Sequence, residues 1–249
     1  MCTLVLIHRV LDAAPLVVLA NRDEMLGRPS VGPRLVRREP AVFCGLDQKE
    51  GGTWCGLNEH GLFVGLTNLT LHAPDPTKRS RGLLCLDMLG CRSLDQVHGA
   101  VSATGAGAYN PFNLVASDGT RAMRVRYDDR PAIEWLEPGV HATTNWPIGS
   151  EGDAKRVWSE TRVRQALSDA PDLGSLLDSL QDIARTHERD GDPRASICCH
   201  VPGYGTRSSS IVALTADGGP IYRYSDGPPC EARFEDFSAV VAEAFGHRP

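Results

Sequence analysis

No apolar run in the 249-residue chain approaches the ~18–20 residues that a membrane-spanning helix needs. The stretch from Met1 to Arg9 has no basic leader, a short apolar portion and no small-residue cleavage site after it, so no export signal is expected and a cytoplasmic location is. Positive charge is in deficit. The 26 Lys and Arg against 31 Asp and Glu leave a formal charge of −5, which is the wrong sign for a protein that holds nucleic acid through its phosphates. Eight cysteines contain no Cys-x-x-Cys pair, so zinc spacing is missing, and without an export signal free thiols are expected rather than disulfides. No Gly-x-Gly-x-x-Gly opens a helix, no segment repeats, and no tract is of low complexity.

What is present suits one buried core. A hydrophobic content of 41% over this length needs no second domain, so residues 1–249 are read as a single unit. Thr3 to Arg9 and Pro15 to Ala20 are nearly continuous apolar runs, the pattern of strands buried on both faces, joined around Asp12-Ala13-Ala14. Asn21 to Pro33 is polar and rich in Gly and Pro, and reads as a loop. Further strands are predicted at Ala41–Cys44, Leu62–Thr67, Phe112–Ser117, Ala122–Tyr127, Ala132–Leu136 and Val140–Thr144, and later at Ile197–His200, Ser209–Thr215 and Ile221–Tyr224. Helical spacing covers Gly82–Cys91, Leu94–Val101 with Ser93 as N-cap, Asp153–Ser168, Leu173–Thr186 and Phe234–Phe245. Strand runs separated by helix pairs, without strict alternation, place the chain in the α+β class.

Cys2 carries the most chemical information. A small side chain after the initiator permits methionine removal, which would make Cys2 the true N-terminus, nucleophile and base in one residue. Its α-amine would titrate near 7.7–8.0 and its thiol near about 8.5, so the amine can take the thiol proton. Asn21-Arg22-Asp23-Glu24 follows the strand expected beside that of Cys2. A carboxylate there can hold the α-ammonium, and Arg22 can lower the thiol pKa. Thr67-Asn68 and Thr143-Thr144-Asn145 end strands, where side-chain amides can donate to an oxyanion or simply form Asx turns. Gly51-Gly52-Thr53-Trp54 allows close backbone approach beside an aromatic wall, and Arg207 precedes a buried strand where it can meet a carboxylate or phosphate. The clusters Arg34, Arg37, Arg38 and Lys78, Arg79, Arg81 read first as solvated loops, with an anionic ligand as the other reading. Cys85 and Cys91 fall in an apolar helical stretch and read as packing residues. Cys198-Cys199 before His200 suggests a metal or haem ligand only weakly, because strand neighbours face opposite ways. No metal ligand is expected.

Taken together, Met1-Cys2-Thr3, Asn21-Arg22-Asp23-Glu24, Gly51-Gly52-Thr53-Trp54, Thr67-Asn68, Arg79-Ser80-Arg81-Gly82, Thr144-Asn145 and Gly203-Tyr204-Gly205-Thr206-Arg207-Ser208-Ser209 resemble the NRDE family, also called the transport-and-Golgi-organisation family. The motifs run in the family's order over nearly the whole chain. The resemblance implies a four-layer αββα sandwich similar to the N-terminal-nucleophile (Ntn) hydrolases. More distantly the chain is similar to the choloylglycine-hydrolase/penicillin-acylase group, whose Asn-x-Asp motif falls on Asn21 and Asp23, whose oxyanion asparagines fall on Asn145 and Asn68, and whose late arginine falls on Arg207. One departure concerns substrates: the group's arginine before that motif falls on Ala20, while Arg22 stands inside it.

Two functions follow. The first is an amidohydrolase acting on a non-peptide C–N bond of a small acylated metabolite. Cys2 is its nucleophile, Asp23 orients the amine, Arg22 and Arg207 act electrostatically, Asn68 and Asn145 stabilise the oxyanion, and Asn21, Thr53, Trp54 and Thr67 contact substrate. It needs no cofactor. The second, implied by eukaryotic relatives, is a carrier in haem trafficking or lipid and acyl-CoA metabolism, with haem as cargo. No haem signature accompanies it, since Pro229-Cys230 reverses the usual Cys-Pro order.

Overall fold

A computed structural model describes residues 2–187, 193, 195–217 and 219–246. Two seven-stranded sheets form its centre, and every strand pairing within them is antiparallel. The first contains β1 (Thr3–Leu11), β2 (Ala14–Met25), β10 (Gly139–Thr144), β11 (His200–Val201), β12 (Tyr204–Leu214), β13 (Pro220–Ser225) and β14 (Phe234–Asp236). Its order is β10-β1-β2-β12-β13-β14, with β11 on β12. The second runs in chain order: β3 (Ser30–Arg38), β4 (Ala41–Asp47), β5 (Cys55–Asn58), β6 (Phe63–Asn68), β7 (Phe112–Ser117), β8 (Ala122–Tyr127) and β9 (Pro131–Trp135).

Three apolar layers follow from side-chain alternation along the strands. Leu4, Leu6, Leu16 and Val18 point between the sheets, where they meet Phe43, Leu57, Phe63 and Val115. Their neighbours Val5, Ile7, Val17 and Leu19 face outward, against Val163 of α3 (Ala154–Asp169) and Leu176, Leu177 and Leu180 of α4 (Leu173–Ala184). On the far side, Val64, Leu114 and Val125 pack under α1 (Arg81–Leu89) and α2 (Leu94–Ser102). The layers therefore run helix, sheet, sheet, helix, which is an α+β sandwich of four layers. The continuous apolar strands of the sequence are buried on both faces because each sheet is covered twice. Ser93 caps α2 by accepting from Gln96 N at 3.3 Å, and Asp172 caps α4 by accepting from Ser175 N at 2.7 Å. Among the described residues no helix is long and apolar enough to cross a membrane.

Four expectations change. Asn21 to Met25 is not loop but the end of β2, paired with β12 from Asn21↔Ser209 to Met25↔Tyr204. Ser30–Arg38, inside and beyond the expected loop, is an edge strand, a position that tolerates the missing N–H of Pro33. Ile197–Cys199 is bent chain, and only His200–Val201 pairs as strand. The last segment opens as β14 rather than helix, and α5 (Ser238–Ala244) begins only after Asp236 Oδ1 has accepted from Ser238 N at 2.8 Å.

Candidate active site

Cys2 precedes β1 directly, and the Thr3↔Asn21 and Thr3↔Thr144 pairs set its neighbours: the next positions outward are Arg22 on β2 and Asn145 after β10. Alternation then sorts the side chains. Cys2 and Arg22 share parity with Leu4 and Ala20, so both face the space between the sheets, whereas Asn21 and Asp23 share the outward face of Leu19. The Cys2 thiol and the Asp23 carboxylate thus lie on opposite faces of one end of the sheet, linked by backbone. Cys2 Sγ lies 3.6 Å from the Asp23 carbonyl oxygen, its hydrogen-bond acceptor.

On the inner face, Cys2 opens into a cavity of about 310 Å³. One wall is Arg22 and Glu24 of β2 with the peptide of Asp23 between them; the opposite wall is Thr53, Trp54 and Asn68, and the rim is formed by residues 74–82. The buried Arg22 guanidinium lies 4.3 Å from the Trp54 ring centroid and donates to Ser30 Oγ at 3.3 Å. Trp54 is therefore a platform for a cation as well as a wall. Gly52 makes this wall possible: a Cβ there would lie 2.5 Å from Leu83 N, and Thr53 N donates to Gly82 O at 3.0 Å. The loop is thereby fastened against the first turn of α1, which also lines the cavity and has no side-chain cap from Ser80.

The cavity is strongly charged. Arg28 is bonded to Asp47; burial alone would raise that carboxyl, but the guanidinium outweighs it and holds Asp47 below the usual range. Arg81 differs: it donates to Pro111 O at 2.9 Å, and no carboxylate pairs with it among the described residues. Burial lowers its pKa, opposed by the negative ends of Cys2 and Glu24. Burial likewise pushes the Cys2 thiol up, with Arg22 and the Asp23 peptide pulling the other way. The sequence expects Arg22 to leave the thiol acidic; with the sulfur facing inward and enclosed, desolvation is the larger effect.

On the outer face, Asp23 is fully enclosed. Its Oδ1 accepts from Thr206 Oγ1 at 2.6 Å, and its Oδ2 lies 3.4 Å from Lys155 Nζ. Lys155 comes from the first turn of α3, 132 positions away, and no local pattern in the sequence marks it. Tyr204 also enters, donating its hydroxyl to Asp23 O at 3.2 Å; burial raises its pKa.

The remaining predicted site residues separate. Thr53, Trp54 and Asn68 line the cavity with Cys2, Arg22 and Asp23. Asn21 does not. Its amide nitrogen donates to Ala184 O at 2.9 Å and Ile197 O at 3.1 Å, and its oxygen accepts from Ser209 Oγ at 2.7 Å, so it ties β2 to the outer layer. Thr67 is a bridge between sheets, donating to Thr144 O at 3.1 Å and accepting from Asn113. Arg207 is the extra residue of a bulge between the Thr206↔Asp23 and Ser208↔Arg22 pairs and is absent from the cavity lining. Asn145 is buried beside the Cys2 strand outside the cavity lining, and its Oδ1 has no hydrogen-bond partner among the described residues.

The sequence model of the family described as Transport and Golgi organisation 2 matches residues 1–222. A human relative, Transport and Golgi organization protein 2 homolog, is 31% identical over 234 residues, covering 83% of this chain and 84% of its own. The mouse relative is 28% identical over 241 residues with the same coverage. Among solved structures, a mutant of conjugated bile acid hydrolase from Clostridium perfringens superposes with a TM-score of 0.60 at 15% identity, covering 96% of this chain and 93% of that one. Penicillin V acylase from Agrobacterium tumefaciens gives 0.56 at 13% identity, covering 91% and 83%. An N-acylethanolamine-hydrolyzing acid amidase ortholog from Caenorhabditis elegans gives 0.56 at 13%, covering 84% and 92%. At these identities the likeness is one of fold, the four-layer sandwich of Ntn hydrolases.

Proposed function

Since the chain belongs to the Transport and Golgi organisation 2 family, and its fold is that of acylases and amide hydrolases, we propose that it is a cysteine Ntn amidohydrolase acting on a non-peptide C–N bond of a small acylated metabolite. The observation that carries this reading is the placement of Cys2 alone at the strand end that opens into the charged cavity, with Arg22 beside it on the same face. After methionine removal the Cys2 amine takes the thiol proton, and the sulfur attacks the acyl carbon. The amine then returns the proton to the departing nitrogen, and water hydrolyses the thioester. Asn145 has a buried amide oxygen without a partner, and a turn of that amide presents its nitrogen to the oxyanion; Asn68 approaches from the opposite sheet. Arg81, the uncapped first turn of α1 and Arg22 favour a substrate with an anionic substituent.

The test begins with the intact mass of untagged protein, where loss of Met1 is expected. A panel of acyl amides and thioesters is then offered to the wild type, to Cys2→Ser and to a Met-Gly-extended form whose amine has become an amide. Turnover by the wild type alone supports the reading. Turnover that survives in both altered forms overturns it, as does binding of haem or acyl-CoA without turnover in all three, the behaviour of a carrier.

A further inference from the structure

Four soft donors meet where the sequence shows no zinc spacing. His187 follows α4, Cys198 and His200 bracket the start of β11, and Cys230 lies in the turn after β13. Each offers one ligand atom, and these atoms all lie within 4.8 Å of one another. None of the four lines the Cys2 cavity.

Their separations fit a metal polyhedron. Cys198 Sγ is 3.6 Å from Cys230 Sγ and 3.5 Å from His200 Nε2, and His200 Nε2 is 3.3 Å from Cys230 Sγ. With Zn–S near 2.3 Å and Zn–N near 2.05 Å, tetrahedral angles put sulfur about 3.8 Å from sulfur and about 3.6 Å from nitrogen. The three edges match to within about 0.3 Å, a shift that side-chain rotation covers. The His187 ring stands 5.0 Å from the His200 ring and tilted by 47°, so it closes the fourth corner by a small turn. A disulfide would need the sulfurs at about 2.05 Å.

The backbone that carries the donors is already stitched together. Cys198 N donates to Thr186 O at 2.9 Å, one residue from His187, and Arg185 Nε donates to Pro229 O at 3.1 Å, one residue from Cys230. The donors are therefore presented on a scaffold that exists before any ion arrives, which lowers the ordering cost of binding.

We propose that His187, Cys198, His200 and Cys230 form a tetrahedral Zn²⁺ site of structural type. Two thiolates and two imidazoles suit zinc over the hard cations, and four protein ligands leave no position for a reacting water. The ion clips the end of α4 and the turn after β13 onto the chain that enters β11. That chain also supports the candidate active site. Ile197 O accepts from Asn21, and Cys199 N donates to Thr206 Oγ1, which in turn donates to Asp23. The site does not depend on what Cys2 does.

The test is metal analysis of the untagged full chain, followed by chelator stripping and titration with Zn²⁺ and with Co²⁺ as a spectroscopic probe. One zinc per chain is expected, with thiolate-to-Co²⁺ charge transfer and the ligand-field bands of tetrahedral cobalt. His200→Ala and Cys230→Ser should each reduce zinc to background, while Cys91→Ser, a half-buried cysteine outside the cluster, should retain it. Should either ligand variant fail to fold, stripping the wild type and restoring it with Zn²⁺ gives the same answer through its melting temperature. Absence of zinc with no cobalt spectrum in the folded wild type overturns the proposal. So does equal metal binding in all variants, or a Cys198–Cys230 disulfide in the freshly isolated chain.

Discussion

Lys155 Nζ lies 3.4 Å from Asp23 Oδ2, with 2% of the lysine side chain and none of the aspartate side chain exposed. A pair so enclosed contributes little over an apolar replacement, but removing one partner is costly. Lys155→Met should destabilise the fold by about 3 kcal/mol, whereas Lys155→Met with Asp23→Leu should recover much of it. Denaturant midpoints of the two variants measure this; equal losses would mean that the ammonium does not compensate Asp23.

Alkaline stability should report the core thiols. Burial pushes Cys44 and Cys55 from 9.0 to about 12. The raised folded-state values mean that their contribution is complete below pH 9, where both states hold the proton. Between 9 and 12 only the unfolded chain ionises, so stability falls as pH rises, by about 1.4 kcal/mol per pH unit for each thiol. Unfolding curves between pH 8 and 11 test the slope, and Cys44→Ala should make it shallower.

Gly52 and its neighbour should behave differently. A Cβ at Gly52 meets the Gly82 and Leu83 backbone, which cannot swing aside, so Gly52→Ala should cost about 1–3 kcal/mol and open the wall around Trp54. Gly51 has φ of +74° and open space around it, so Gly51→Asn should stay close to wild type. Melting temperatures of the two variants should rank in that order.

Cys2 labelling should follow its environment. In a chain that retains Met1, burial raises the thiol, so iodoacetamide modification should keep accelerating with pH beyond the ordinary thiol range of about 8.5. Arg22→Gln removes an opposing charge and should slow labelling at pH 8. Peptide mapping across pH reads both; a profile that levels off below pH 8 would show an acidic thiol instead.

Much of this architecture was legible in the residues. The double-sided apolar strands β1 and β2, the Ser93 cap and the tight approach at Gly51-Gly52 follow from local pattern, and each is present. The polar end of β2 was not legible, because Asn21 and Asp23 are satisfied by α4, β12 and Lys155, partners more than 130 positions away. A polar run looks like a loop until those partners are known. β3 was hidden for a related reason: an edge strand with Pro33 and three arginines carries little apolar alternation. Asn58 shows the same limit inside the core. Its amide spans Leu89 O, Cys91 O and the N–H groups of His60 and Leu62, a role set by the turn after β5 meeting the end of α1.

The alternation of β2 also divides labour. Arg22 and Cys2 face the chamber between the sheets and the Asp23 side chain is packed into the layer behind it, so this end of the sheet is a partition with the thiol on one side and its anchorage on the other. The chamber's opposite wall comes from the end of β6 and the turn before β5, and its rim from residues 74–82, whereas Asp23 is held by Lys155, Tyr204 and Thr206. Variation in that rim can reshape what the chamber admits while the sulfur stays where it is. The shape of the chamber and the setting of the thiol are in this way separately adjustable within one sandwich.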